Sequence, residues 1–246
     1  MFEVELECVR NAETPSLHST PRMEYDAVVF DNDGVLTTPT SYEALRQAMA
    51  RAFNRHGVTD PADDDLDTLI SPTVEELEAI TERYDLDPSG LWEARERAAI
   101  DVQYEEIQAG RKTLYDDVAT LESLSSPMGI VSNNQHETIE NIVDHFELEA
   151  FDPYYGREPT VKGIERKKPT PYYLERAVDE MGCSNPLYVG DSWVDVAVAE
   201  ALEIDSAFIR RSHRDEYSFA EFDYHGDPTH EITSLRELSE LQSTGT

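Results

Sequence analysis

Four short segments hold residues that could act together on one substrate: Val28-Val29-Phe30-Asp31-Asn32-Asp33-Gly34, Ile130-Val131-Ser132-Asn133-Asn134, Lys168-Pro169 and Val189-Gly190-Asp191-Ser192-Trp193-Val194-Asp195. Three of them end a short apolar run with a carboxylate or a hydroxyl, and such runs read as buried parallel strands. Ligands of an open α/β sheet sit outside the carboxyl ends of its strands. Three strand ends and one lysine can therefore converge on one point. The convergent set is Asp31, Asp33, Ser132, Lys168, Asp191 and Asp195: a nucleophile, a proton carrier, a hydroxyl donor, a fixed cation and a seat for a metal. Each alone has a plainer reading. Asp31 to Gly34 could be a turn after a strand; as a calcium loop it fails, because its glycine falls too early and no helix precedes it. Ser132 could cap a helix, Lys168 could be a surface charge and Asp191 could cap a helix start. Order and strand context together favour the shared site.

At these residues, over roughly positions 24 to 240, the chain resembles the haloacid dehalogenase superfamily, and within it the Mg-dependent phosphatases. The family's Asp-x-Asp-Gly after an apolar strand is matched by Asp31 to Gly34. Its strand-ending Ser or Thr is matched by Ser132, its Lys before Pro by Lys168, and its Gly-Asp-x-x-x-Asp by Gly190 to Asp195. Val35 stands where Thr is commonest, and Asn32 lies where the family varies; neither removes a chemical group. The resemblance implies Asp31 as a nucleophile forming an aspartyl-phosphate. It implies Asp33 as general acid to the leaving oxygen and then general base to water. It implies Mg²⁺ as cofactor, held by the Asp31 carboxylate, the Asp33 backbone carbonyl and the Asp191 carboxylate, with Asp195 orienting metal-bound water or Lys168 from behind. Ser132, the Asn133 amide at a helix mouth, Gly34 and Lys168 would bind phosphate. Family dehalogenases have no aspartate at the position of Asp33, because halide needs no proton, so Asp33 points to phosphoryl chemistry.

Composition bounds the setting. The 246 residues include 52 acidic and 20 basic ones, for a net charge of −32, and only four of the bases are lysines. The excess is spread along the chain. Molar salt shrinks the Debye length to about 3 Å and would screen such self-repulsion, which points to an extreme halophile. Nucleic acid is not expected as a partner, since phosphate backbones need a basic face. With Cys8 and Cys183 alone, no disulfide framework is expected. No apolar stretch approaches the roughly 20 residues of a membrane span, and the start shows no secretory signal pattern. A cytoplasmic protein with no membrane partner is the expectation. The seven histidines show no ligand spacing and are assigned no chemistry.

The elements that position these residues follow from periodicity. Strands alternating with helices predict a Rossmann-like, doubly wound parallel sheet. About a hundred residues separate Asp31 from Ser132 and only 36 separate Ser132 from Lys168, so an inserted all-helical cap is expected at 40–109. The core would comprise 23–39 and 110–246, and 1–22 a dispensable extension that begins with an alternating strand. Capping boxes are expected at Thr40/Glu43 and Thr73/Glu76, and Asp87-Pro88 should start a third cap helix running towards Gly110. Asp63 to Asp65 reads as a loop or helix start. In the core, helices are expected at about 115–124, after Asn134/Glu137, from Thr170-Pro171 to Gly182, from Ser192/Asp195 through Ala201, and after Ser234/Glu237. Ala207-Phe208-Ile209 reads as a strand. Tyr154-Tyr155 and Tyr172-Tyr173 read as packing residues.

A helical cap after the first motif resembles the phosphoglycolate phosphatase and β-phosphoglucomutase branch, whose caps close over small substrates. Arg46, Arg51, Arg55, Arg95, Arg111 and Lys112 are candidates to face an anionic tail, although most are expected to pair with the many acids. The expected substrate is a small phosphorylated metabolite of the phosphoglycolate kind. A sugar-phosphate mutase and a non-catalytic phosphate-ligand binder on the same fold stay open, as does the choice between monomer and homodimer.

Overall fold

The computed structural model describes residues 25–243; the strand and extension expected in 1–22, and Cys8, lie outside the described residues. Six parallel strands form one sheet: β1 (Ala27–Phe30), β2 (Met128–Gln135), β3 (Phe151–Arg157), β4 (Pro186–Gly190), β5 (Asp205–Ile209) and β6 (His230–Ile232), in the order β3-β2-β1-β4-β5-β6. The strands carrying the first, second and fourth motifs, β1, β2 and β4, are thus adjacent and interior to the sheet. Their apolar runs are buried because both faces are covered. On one face Val28, Phe30, Ile130, Leu187 and Val189 pack with Ile139, Ile142 and Val143 of α5 (His136–Phe146). On the other, Val29, Val131 and Tyr188 pack with Leu174 and Ala177 of α7 (Tyr172–Met181) and with Val198 and Ala199 of α8 (Trp193–Ala201). The period-2 alternation of the strands sends successive side chains into the two layers.

Between β1 and β2 the chain forms α1 (Tyr42–Arg55), α2 (Asp63–Ile70), α3 (Val74–Tyr84) and α4 (Pro88–Gln108). Their apolar stripes enclose a second core around Met49, Phe53, Leu69, Leu77, Leu91 and Trp92. Each such side chain contributes about 1.5–3 kcal/mol on burial. The short α6 (Val161–Arg166) adds Ile164 to this core. The final α9 (Leu238–Ser243) follows a single 3-10 turn.

Several expected boundaries move. The first cap helix is capped by Ser41, whose Oγ accepts from the Ala44 amide at 3.2 Å. Thr40 turns inward instead, donating to Gln103 Oε1 at 3.2 Å. The Thr73/Glu76, Ser192/Asp195 and Ser234/Glu237 boxes form, and Asp87 caps α4 with Pro88 at its start. The segment at 115–124 is a 3-10 helix, Val118–Ser123, rather than an α-helix. Asn134 does not cap α5: β2 runs on through Gln135, which precedes the helix without a side-chain cap, and Glu137 pairs with Arg97. Strands β3 and β6 have no clear sequence signal. Pro153 and Gly156 interrupt β3, which the sheet tolerates because it is an edge strand; β6 is three residues long.

Candidate active site

The carboxyl ends of β1, β2 and β4 open into a cavity of about 260 Å³ lined by Asp31, Asp33, Ser132, Asn133, Lys168 and Asp191, with side chains of α4 facing them. Asp31 is the first residue beyond β1. Its Oδ1 accepts from the Asn32 amide at 2.7 Å and meets Lys168 Nζ at 3.0 Å. Burial pushes its carboxyl up to about 7; Lys168 pulls it back, while the charges of Asp195 and Asp191 push it further up. Lys168 Nζ also reaches Asp195 Oδ1 at 2.7 Å, the Tyr188 hydroxyl at 2.8 Å and Val131 O at 3.3 Å. Burial disfavours its charge, but Asp195 and Asp31 outweigh that and hold it protonated well above the ordinary lysine range.

The chain leaves β1 in a tight turn in which Leu36 and Thr37 both donate to Asn32 O. Gly34 takes φ +82°, and a Cβ there would lie 2.1 Å from Asp191 Oδ2; only glycine combines that dihedral with that approach. The turn places Asp33 beside Asp31 in the cavity wall. Asp33 Oδ1 accepts from Lys112 Nζ at 2.5 Å, Asn32 Nδ2 at 2.6 Å and Thr37 Oγ1 at 3.2 Å.

Ser132 is buried, and its Oγ accepts from the Asn134 amide at 3.3 Å. It lies within β2 rather than at a helix mouth, because α5 begins only at His136. The Asn133 side chain accepts from the Lys168 amide at 2.7 Å and donates to Lys168 O at 3.1 Å. Asn133 therefore fixes the backbone of the lysine. Asp195 is fully buried; Oδ1 takes Lys168, and Oδ2 takes the Ser192 hydroxyl at 2.5 Å and the Ser192 amide at 3.0 Å. With both oxygens engaged by the protein, Asp195 supports the lysine from behind.

Carboxylate oxygens of Asp31, Asp191 and Asp195 lie within 4.8 Å of one another. Lys168 pairs with Asp31 and Asp195 and Arg214 with Asp191, so three acids face two fixed cations; the donors are all hard oxygens, the set that Mg²⁺ takes. The residues present fit such an ion, with Asp31 and Asp191 offering carboxylates and Asp33 its carbonyl.

Of the six cations expected to face a substrate tail, Arg46 pairs with Asp63 and Asp67, Arg51 with Glu105, Arg55 with Asp101 and Arg111 with Glu106. Lys112 is wholly buried and serves Asp33, not a substrate. Arg95 alone of the six lines the cavity. Basic cavity residues outside the expected set are Arg157, Lys167 and Arg214. Arg214 Nε donates to Asp191 Oδ2 at 2.9 Å, and His213 Nε2 meets the same oxygen at 2.7 Å. A histidine assigned no chemistry thus sits on the fourth-motif aspartate. The run Arg210-Arg211-Ser212-His213-Arg214, in a chain with 20 basic residues in all, was the available signal. Lys167 doubles the motif lysine, whereas Arg157 ends a strand the pattern hides.

A family model described as haloacid dehalogenase-like hydrolase matches residues 25–202. An (S)-2-haloacid dehalogenase of Pseudomonas putida is 30% identical over 127 residues, which cover 50% of this chain and 52% of that protein; a second from Pseudomonas fluorescens is 29% identical over the same span. The chain thus matches about half the length of these curated relatives. Among solved structures, CbbY from Rhodobacter sphaeroides in complex with phosphate superposes with a TM-score of 0.65 at 19% identity, covering 87% of this chain and 96% of that one. A candidate phosphoglycolate phosphatase from Lactobacillus plantarum does so with a TM-score of 0.62 at 20% identity, covering 89% and 100%. These likenesses show the fold. The family model spans the sheet strands β1, β2, β3 and β4 together with all four motifs, and on that match the chain belongs to the haloacid dehalogenase-like hydrolases.

Proposed function

We propose that the protein is a Mg²⁺-dependent phosphatase of small organic phosphate monoesters, working through an aspartyl-phosphate on Asp31. The observation that carries this reading is Asp33: a second carboxylate stands in the cavity wall beside the nucleophile, held by Lys112 and Thr37. A displaced alkoxide needs a proton; a displaced halide does not.

An Asp31 oxygen attacks phosphorus and the bond to the ester oxygen breaks. That oxygen takes a proton from Asp33, releasing the alcohol and leaving Asp31 phosphorylated. Water then attacks phosphorus and gives its proton to Asp33, and the acyl-phosphate P–O bond breaks to free phosphate and Asp31. Lys168, fixed by Asp195 and Asn133, holds positive charge at Asp31 throughout. The Ser132 hydroxyl supplies a donor to the phosphoryl oxygens, where charge spreads in the transition state. Bound Mg²⁺ would offset the charge that Asp31 and the phosphoryl group bring together. Asp31, Asp191 and the Asp33 carbonyl would hold it. The substrate partner is a small phosphorylated metabolite, and neither nucleic acid nor membrane is proposed as a partner.

The test is phosphate release from a panel of small esters with Mg²⁺, beside EDTA and Asp31→Asn controls, and halide release from (S)-2-haloacids. Mg²⁺-dependent phosphate release lost in the variant supports the reading; halide release without phosphate release overturns it. The mutase alternative predicts phosphate transfer between positions of a sugar phosphate rather than to water.

A further inference from the structure

The cavity's other end is a positive island in a chain of net charge −32. Arg95 on α4, Arg157 at the end of β3 and Lys167 before Lys168 all line it. Among the described residues, Glu96 is the one acid hydrogen-bonded to any of the three: its Oε1 takes Arg95 Nη1 at 2.6 Å and Arg157 Nη2 at 2.9 Å. Lys167 Nζ reaches only neutral oxygens, Ser71 O at 3.2 Å, Ser71 Oγ at 3.0 Å and Pro72 O at 2.8 Å. Arg95 and Arg157 therefore share one carboxylate, and among the described residues Lys167 is opposed only by the charge of Glu76, which reaches it without a hydrogen bond, so positive charge is in excess.

Two donors in this group also lack partners. Arg157 and Trp92 are almost wholly buried, yet Arg157 Nη1 and Trp92 Nε1 have no hydrogen bond. The guanidinium groups of Arg95 and Arg157 lie 5.0 and 4.7 Å from the Trp92 ring centre, which holds them in place. A buried donor left unpaired is destabilising, and like charges add to the cost. Burial, opposed by Glu96 and joined by Arg157, lowers Arg95 to about 10; burial with Arg157 and Arg95, opposed by Glu76, lowers Lys167 to about 8. Glu96 Oε2 is likewise unpartnered; an anion arriving among the three cations would offset their like-charge crowding. The cluster is also tied to the reacting end: Arg157 Nε donates to Asn133 O at 3.3 Å, next to Ser132.

We infer that Arg157, Arg95 and Lys167 form a second anion site, so that the enzyme selects short phosphate monoesters whose far end carries a carboxylate or a second phosphate. This deepens the phosphatase reading and rests on it. The phosphoryl group to be transferred lies at Asp31, the carbon skeleton crosses the cavity, and the tail anion meets the arginines and lysine.

The experiment compares three esters on a two-carbon skeleton: phosphoglycolate with a carboxylate tail, ethylene glycol monophosphate with a neutral tail, and ethylene glycol bisphosphate. The expected kcat/KM is about tenfold or more higher for the better anionic ester than for the neutral one, the range of a charge-assisted hydrogen bond; which anion wins identifies the tail. Lys167→Gln and Arg157→Met should lower kcat/KM for that anionic ester at least about fivefold more than for the neutral one, mainly through KM. Equal wild-type rates on neutral and anionic esters, or equal losses in both variants, overturn the inference. Lys167 is half-exposed, so its variant decides if Arg157→Met does not fold. If no ester is hydrolysed, the phosphatase reading fails. Calorimetric binding of the three esters to the Asp31→Asn protein then decides the inference: a preference for an anionic tail that Lys167→Gln abolishes upholds it, and no preference overturns it.

Discussion

Asp31 is placed where its charge is costly, and that cost is measurable. Its carboxyl sits near 7 because it is buried among other acids. The folded state then holds a proton that the unfolded chain, with its carboxyl near 3.9, has released. Stability from this group is thus complete below about 3.9 and is lost progressively as pH rises from there through about 7. In EDTA, Asp31→Asn should nearly match the wild type near pH 4 and raise Tm by about 5 °C at pH 8, while abolishing turnover; thermal melts at both pH values check the sign. Asp33 tests the chemistry. Asp33→Asn should lower kcat about 10²-fold or more on an alkyl phosphate, but much less on p-nitrophenyl phosphate, whose leaving group departs without a proton. Asp31, Ser132 and Asp191 were legible because each closes an apolar run of strand residues, Asp33 by its spacing from Asp31 and Lys168 by its place before Pro169 in the ordered set. Asn133 was legible only as a phosphate amide; that its side chain clamps Lys168 depends on a contact 35 positions away.

Single hydrogen-bonding residues tie the elements together at the site. Asp117, before the 3-10 turn, accepts from Arg211 at 2.7 and 2.9 Å, Ser234 Oγ at 2.8 Å and the Leu235 amide at 2.9 Å. Arg211 in turn donates to Val35 O at 2.8 Å, bracing the turn that carries Asp33 and Gly34. Burial alone would raise the Asp117 carboxyl, but these partners outweigh it and lower it. Its contribution is complete above the unfolded value of about 3.9 and is lost as pH falls through the lower folded one. Asp117→Asn should therefore cost about 2 kcal/mol at pH 7 and flatten the acid limb of the stability profile; urea melts from pH 3 to 7 read both. The capping boxes at Thr73, Ser192 and Ser234 were visible as short-range pairs. Ser41 displaced Thr40 as cap because Thr40 is drawn inward to Gln103 and Lys112, 63 and 72 residues away.

At the scale of the molecule, the sheet order puts β1 between β2 and β4, so motifs from distant parts of the chain meet at one edge. No helix among the described residues is long and apolar enough to cross a membrane. The charge of −32 remains the dominant whole-molecule property. If it is an adaptation to a salt-rich cytoplasm, raising KCl from 0.2 to 2 M should increase Tm by about 10 °C or more, since screening removes self-repulsion; calorimetry across that series is the check, and a flat response refutes the halophilic reading.

The sequence by itself determined the fold class and singled out the groups proposed to react, because strand runs, capping boxes and motif residues are local patterns that physical chemistry reads over a few positions. Only the tertiary structure decided which cations belong to the site. An arginine looks the same whether it pairs with a neighbouring acid, as Arg46, Arg51, Arg55 and Arg111 do, or lines the cavity as Arg95 and Arg157 do. The difference lies in where the fold places each cation and how it shares out the acids: Arg95 and Arg157 are buried at the cavity and share Glu96, whereas the others pair at the surface, and that placement belongs to the folded chain alone.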